Sequence, residues 1–189
     1  MKIFEQHNSA YMKTTDGIRL FYDTNFNLKD YDPQIPLLIF NYGLVCNPNH
    51  FKFQYPFFEQ LGYQLLVYNY RGHYNSSGLE NIAECTFKNM SKDLHDLINH
   101  LQVKNYMLIG HSMGVNICLE YMANYPSSEL KKSIIISGTV LPPQNIMFNS
   151  DITSICSYSG GWACHQVMPP VNTLILFMLL IPIFQSYLN

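Results

Sequence analysis

Four apolar runs of strand length recur along the chain: Leu37-Leu38-Ile39-Phe40, Leu65-Leu66-Val67-Tyr68, Tyr106-Met107-Leu108-Ile109 and Ser133-Ile134-Ile135-Ile136. None alternates with polar residues, which suits strands buried on both faces of a parallel sheet. Each run ends in turn-forming residues: Asn41-Tyr42-Gly43-Leu44, Asn69-Tyr70-Arg71-Gly72-His73, Gly110-His111-Ser112 and Ser137-Gly138. Helical spacing appears between the runs. Thr86 suits an N-cap, and Met90, Leu94, Leu97, Ile98 and Leu101 then mark one helical face. Near the start, Ile18, Leu20 and Tyr22 alternate after the Asp16-Gly17 turn, predicting an antiparallel hairpin at the sheet edge. Strands alternating with helices behind such a hairpin predict an α/β fold, doubly wound, with helices on both faces.

Gly110-His111-Ser112-Met113-Gly114 lies between the third run and the helical pattern Val115-Asn116-Ile117-Cys118-Leu119. A strand, a G-x-S-x-G turn and a helix in that order form a nucleophile elbow. The tight turn requires small residues on both sides and lifts the serine hydroxyl off the end of the sheet. It also aims the next backbone N–H, that of Met113, at a developing oxyanion.

With the elbow and its flanking strands, the chain resembles the α/β-hydrolase family over about residues 10–140, in particular the esterase and monoacylglycerol-lipase-like branch. The segment from Asn69 to Ser76 is similar to that family's D-x-R-G-x-G-x-S loop, with Asn69 and Tyr74 replacing the usual Asp and Gly. Asn41-Tyr42-Gly43-Leu44 stands where the family has His-Gly-x-x. By position, the resemblance implies that Leu44 supplies the second oxyanion N–H beside Met113. It implies an α/β-hydrolase fold, mainly parallel, and a serine hydrolase acting on a carboxylic ester or related acyl substrate through Ser112. Its substrate would be a small ester or lipid-like molecule, with no cofactor and no metal.

Composition narrows the alternatives. A net charge of −2 favours neither nucleic acid nor an anionic membrane surface. The five cysteines (Cys46, Cys85, Cys118, Cys156, Cys164) are odd in number and lack metal-site spacing, which points to a reduced, cytoplasmic setting. Residues 1–6 lack the apolar stretch of a secretory signal.

The C-terminal part breaks the pattern. After Asp151 the remaining 38 residues contain no Asp, Glu, Lys or Arg, where a soluble segment of that length would carry roughly nine or ten. Residues 1–150 therefore read as the hydrolase core, incomplete at its C-terminal end. Residues 151–189 read as an uncharged apolar tail, densest from Leu174 to Phe184. Three readings of the tail stay open: a truncated or frameshifted product, a membrane-associating segment over 171–188, or a cap-like helix over the active site.

The tail matters because the family's acid and histidine follow the serine in that order. The carboxylates after Ser112 are Glu120, Glu129 and Asp151, and the sole later histidine is His165. Asp151 and His165 keep the order, but no clear strand carries them. Glu120 falls two turns down the elbow helix. His111 and His73 are expected to pack structurally, and His95 and His100 to lie on a helix surface. The aromatics Phe51, Phe53, Tyr55, Phe57, Phe58 and Tyr63 are expected to pack the helix after Leu44 onto the sheet rather than line an acyl pocket. The alternative to an enzyme is an inactive hydrolase-like scaffold, possible if no base reaches Ser112. Without the family's later strands, Ile134–Ile136 is left as an exposed apolar edge, and the full chain is expected to be poorly soluble or to partition into membranes or detergent. Sedimentation as a stable, detergent-free monomer would instead favour a tail folded back on the core.

Overall fold

A computed structural model describes residues 8–138 and the backbone of a strand at 173–176. The strands are β1 (Ala10–Lys13), β2 (Arg19–Thr24), β3 (Leu37–Asn41), β4 (Gln64–Tyr68), β5 (Tyr106–His111), β6 (Leu130–Ile136) and β7 (Thr173–Leu176). The α-helices are α1 (Gln54–Gln60), α2 (Phe87–His100) and α3 (Met113–Asn124). They form one sheet in the order β1-β2-β4-β3-β5-β6-β7. The β1–β2 and β2–β4 pairs are antiparallel, and every pair from β4 to β7 is parallel. All four apolar runs are strands in this sheet. The hairpin turns at Gly17, whose φ of 93° only glycine adopts without strain, and the Thr86 side chain caps α2 by accepting from the Asn89 N–H at 3.1 Å.

Register and ring contacts show which face each helix covers. Phe40 packs against Phe51, Tyr55 and Phe58 from α1 and the turn before it, so the Phe40–Ile109–Ile134 row faces α1. Asn41, Gly110 and Ile135 belong to the next row and point the opposite way. On that side Tyr106 meets Tyr121 edge-on, and α2 packs against α3. Helices thus cover both faces. The aromatics after Leu44 do pack α1 onto the sheet, except that Phe53 and Phe57 point into solvent.

One expectation changes. β6 is not the sheet edge, because β7 pairs with it in parallel, Ser133 opposite Thr173 through Ile136 opposite Leu176. In a charge-free stretch nothing alternates, so hydrophobic pattern cannot separate a buried strand from a helix. The aggregation argument built on an unpaired β6 therefore falls away. Among the described residues, no helix is long and apolar enough to cross a membrane. Residues 177–189 lie outside the described ones.

The loop after β4 is held by a buried ion pair. The Arg71 guanidinium donates to both oxygens of Asp93 on α2, at 2.7 and 2.6 Å, and to Asp16 in the hairpin turn at 2.8 Å. Arg71 and Asp93 are each 1% exposed. Burial pushes the Asp93 carboxyl up to about 6 despite the pull of Arg71. Burial also acts to raise Asp16, but hydrogen bonds from Thr14 and Arg71 and the arginine's charge outweigh it and hold Asp16 low. One side chain thus ties the hairpin, the β4 loop and α2 together. Removing one partner of a buried pair strands the other without compensation. Arg71→Ala, which leaves the Asp93 carboxyl buried without its partner, should lower the unfolding free energy by about 3–5 kcal/mol, and Asp93→Asn, after which Asp16 still accepts from Arg71, should cost less, both read from urea denaturation of the full chain. A loss below about 1 kcal/mol, the scale of an exposed pair, would refute this role.

Candidate active site

The carboxyl ends of β3, β4, β5 and β6 lie together at one end of the sheet, where open α/β sheets place their ligands. Ser112 sits there between β5 and α3 with φ 54° and ψ −117°. A non-glycine residue rarely holds such angles, and they cost about 1–3 kcal/mol. The turn is clamped from both sides: the Ser112 N–H donates to the Ile136 carbonyl on β6, and the Val115 N–H donates to the Ser112 carbonyl, each at 3.0 Å.

The glycines of the motif are spatial requirements. A Cβ on Gly114 would overlap the Asn41 carbonyl oxygen and lie 2.6 Å from its carbon and 2.9 Å from the Tyr42 oxygen. A Cβ on Gly110 would meet the Gly114 oxygen at 2.8 Å and the Cys118 sulfur at 2.9 Å. The first turn of α3 therefore lies directly on the end of β3. Met113 opens α3, so its N–H belongs to a first turn without intrahelical acceptors.

The β3 loop is the elbow's other wall. Gly43 approaches so closely that a Cβ there would lie 3.2 Å from both the Ser112 Cβ and His111 Nδ1. Leu44 follows in a turn closed by the Cys46 N–H to the Gly43 carbonyl at 3.2 Å, with Val45 at φ 59°. Tyr42, at the position of the family's usual histidine, anchors this loop. Its ring stacks on Tyr70 at 4.1 Å, its hydroxyl accepts from the Tyr70 N–H at 3.1 Å, and the Tyr70 hydroxyl donates to its carbonyl at 2.9 Å.

Two histidines flank the elbow. His111 and His50 pack ring to ring with centroids 4.4 Å apart, and His111 Nδ1 is buried without a hydrogen-bond partner. Burial lowers the His111 pKa, the nearby His50 lowers it further, and burial lowers His50. Both rings are therefore neutral at pH 7. Sequence reasoning missed His50, since contact across separate loops leaves no local pattern. His73 packs as expected, its Nδ1–H donating to the Arg71 carbonyl at 2.9 Å beside Tyr42 and Tyr70. His95 stacks flat on Tyr125 at 4.1 Å, half-buried rather than on the open surface. His100 is exposed, and Glu120 accepts from the Asn124 amide at 3.0 Å on α3. Asp151 and His165 lie outside the described residues. Among the described residues, no cluster of three or more His, Cys, Asp or Glu could hold a metal. A shallow cavity of about 180 Å³ lined by Phe26, Tyr31, Leu37, His100 and Val103 lies at the opposite end of the sheet from Ser112.

Comparison with known proteins agrees with this geometry. A family model described as the alpha/beta hydrolase fold matches residues 36–152. The chain belongs to the α/β-hydrolase family. It is 26% identical over 143 residues to the bifunctional esterase/perhydrolase DCH of Acinetobacter calcoaceticus, covering 75% of this chain and 48% of that protein. It is 33% identical over 110 residues to human protein ABHD8, covering 57% of this chain and 25% of that protein. Among solved structures, an esterase from Exiguobacterium antarcticum superposes with a TM-score of 0.61 at 23% identity, covering 69% of this chain and 46% of that one. An epoxide hydrolase from Vigna radiata gives 0.63 at 19%, covering 73% and 40%. At these identities the structural matches show the fold. The chain spans about half the length of the bacterial relatives it matches.

The geometry makes two substitutions informative. Gly114→Ala should destabilise the protein by roughly 3 kcal/mol, because its methyl meets backbone rather than a yielding side chain. Ser112→Gly should stabilise it by about 1 kcal/mol, strain relief exceeding the added chain entropy. Both are read from denaturant midpoints. A neutral Gly114→Ala or a destabilising Ser112→Gly would show that the turn is not strained as described.

Proposed function

We propose that the protein is a serine hydrolase of carboxylic esters or related acyl compounds, with Ser112 as nucleophile. The backbone of Ser112 carries this reading: a φ of 54° at the junction of β5 and α3 is strain kept where it presents a hydroxyl. In the reaction Oγ bonds to the acyl carbon, and the carbonyl π pair moves onto oxygen. The Met113 and Leu44 N–H groups would stabilise that oxyanion. The Oγ proton passes to solvent water, collapse expels the alkoxide, which takes a proton from water, and water then hydrolyses the acyl-serine to the acid and free serine. The DCH relative is named an esterase/perhydrolase, which supports acyl chemistry as the class.

Among the described residues, no side chain hydrogen-bonds the Ser112 hydroxyl to take that proton directly. His111 adjoins the elbow, yet its Nδ1 is buried against the Gly43 loop without a partner. A base-poor site with its oxyanion donors intact retains about 10³–10⁴-fold of rate over water. A second reading, an inactive hydrolase-like scaffold, is favoured by one observation: the histidine next to the serine, His111, has its Nδ1 buried without a hydrogen-bond partner rather than turned to Ser112. A fluorophosphonate probe separates the two on the full chain. Slow labelling confined to Ser112 and lost in Ser112→Ala supports the hydrolase. Rapid labelling would mean a recruited base, with His165→Ala testing its source. No labelling over hours would sink the hydrolase reading in favour of the scaffold.

A further inference from the structure

Two imidazoles join the β3 loop to the elbow. His50, in the turn Pro48–Phe51, lies on His111 at the end of β5 with ring centroids 4.4 Å apart and planes 30° apart. The turn itself is fixed: Phe51 is buried against Phe40, and the Pro48 carbonyl accepts from the buried Tyr55 hydroxyl. Upstream, Tyr42 is held by Tyr70. The segment between these anchors carries Gly43, pressed against both His111 Nδ1 and the Ser112 Cβ, and then Leu44. The imidazole stack therefore closes a short loop onto the elbow beside Ser112.

We propose that the His50–His111 stack is an acid-sensitive latch, holding Gly43 and Leu44 against the elbow with no proton or one and releasing them with two. The inference does not depend on Ser112 being a nucleophile. Neutral imidazoles stack at little electrostatic cost. The first proton goes to His50, the more exposed ring, and a cation over an aromatic ring remains favourable. The second must go to His111, where three features oppose it. Its Nδ1 is buried without a partner; the neutral ring can leave that nitrogen bare, whereas the imidazolium makes it a donor with no acceptor. His111 also directly precedes the N-terminus of α3, the positive end of the helix. Finally, a charge on His50 faces it at ring-contact distance, where like charges repel. Burial first, then His50, accordingly lowers the His111 pKa. Nothing nearby compensates. The other titratable groups on the surrounding elements are Tyr42 and Cys46 in the β3 loop, Lys52 after the turn and His73 on the β4 loop, none of them an anion in acid. No described carboxylate acts on either ring. The latch is thus intact at neutral pH and lost as pH falls through the lowered His111 pKa.

Nuclear magnetic resonance of the full chain, with both rings assigned through His50→Phe and His111→Gln, tests this. Between about pH 7.5 and about pH 4, His50 should titrate first and His111 second, below the ordinary value of about 6.5. Nuclear Overhauser cross-peaks between the two rings should survive the first titration and disappear with the second. The Gly43 and Leu44 amide signals should shift with that loss, and all should return on neutralisation. His50→Phe keeps a ring in the stack but not its charge. In that variant His111 should titrate at higher pH and keep its cross-peaks to the ring at position 50. Cross-peaks that are absent at neutral pH, or that persist in the wild type with both imidazoles protonated, would overturn the latch. So would an unchanged His111 titration in His50→Phe, or equal loss of contact in that variant, which would mark general acid unfolding instead.

Discussion

The contact between Gly114 and the carbonyl of Asn41 sets the geometry of everything around Ser112. Because residue 114 has no side chain, α3 can begin directly on the end of β3. That start forces the chain to reverse at Ser112 with a positive φ, and the reversal brings the serine against Gly43. Gly110 repeats the requirement one turn away, where a Cβ would strike Gly114 and Cys118. The strain at Ser112 is therefore imposed by packing between a helix and two strands and does not depend on the serine itself.

The surrounding loops hold that contact in register by different means. Tyr42 and Tyr70 join the β3 and β4 loops through stacked rings and two hydrogen bonds. Burial raises the pKa of both hydroxyls, so they stay neutral donors and acceptors throughout the physiological range. Further out, Arg71 ties the β4 loop to α2 and the hairpin. Tyr42 thus fills the place of the family's histidine with a residue that also braces the β3 loop beside Ser112. At Asn69, where the family has Asp, the side-chain oxygen is buried without a partner, and the loop is held through its backbone and Ser76 instead.

Much of this was legible in the sequence, for identifiable reasons. The strands from Leu37 to Ile136 declared themselves because parallel strands buried on both faces are continuously apolar. The elbow declared itself because close packing admits glycine alone at positions 110 and 114. Three features were hidden. Asp93 looks like an ordinary polar position on α2, and its pairing with Arg71 depends on tertiary approach. The His50–His111 contact joins the end of β5 to a turn 61 residues earlier in the chain. Strand β7 lies in a stretch so uniformly apolar that it has no period to read, and pairing with β6 distinguishes it.

If the elbow presents Ser112 as an acyl acceptor, p-nitrophenyl acetate should leave its acetyl group there, which is read by mixing it with the full chain, quenching with acid and mapping the modified peptide by mass spectrometry. A single acetyl group is expected on Ser112, accumulating because deacylation without a base in reach is slow. An acetyl group found only on lysine, cysteine or tyrosine side chains, with the peptide containing Ser112 unmodified, would contradict it.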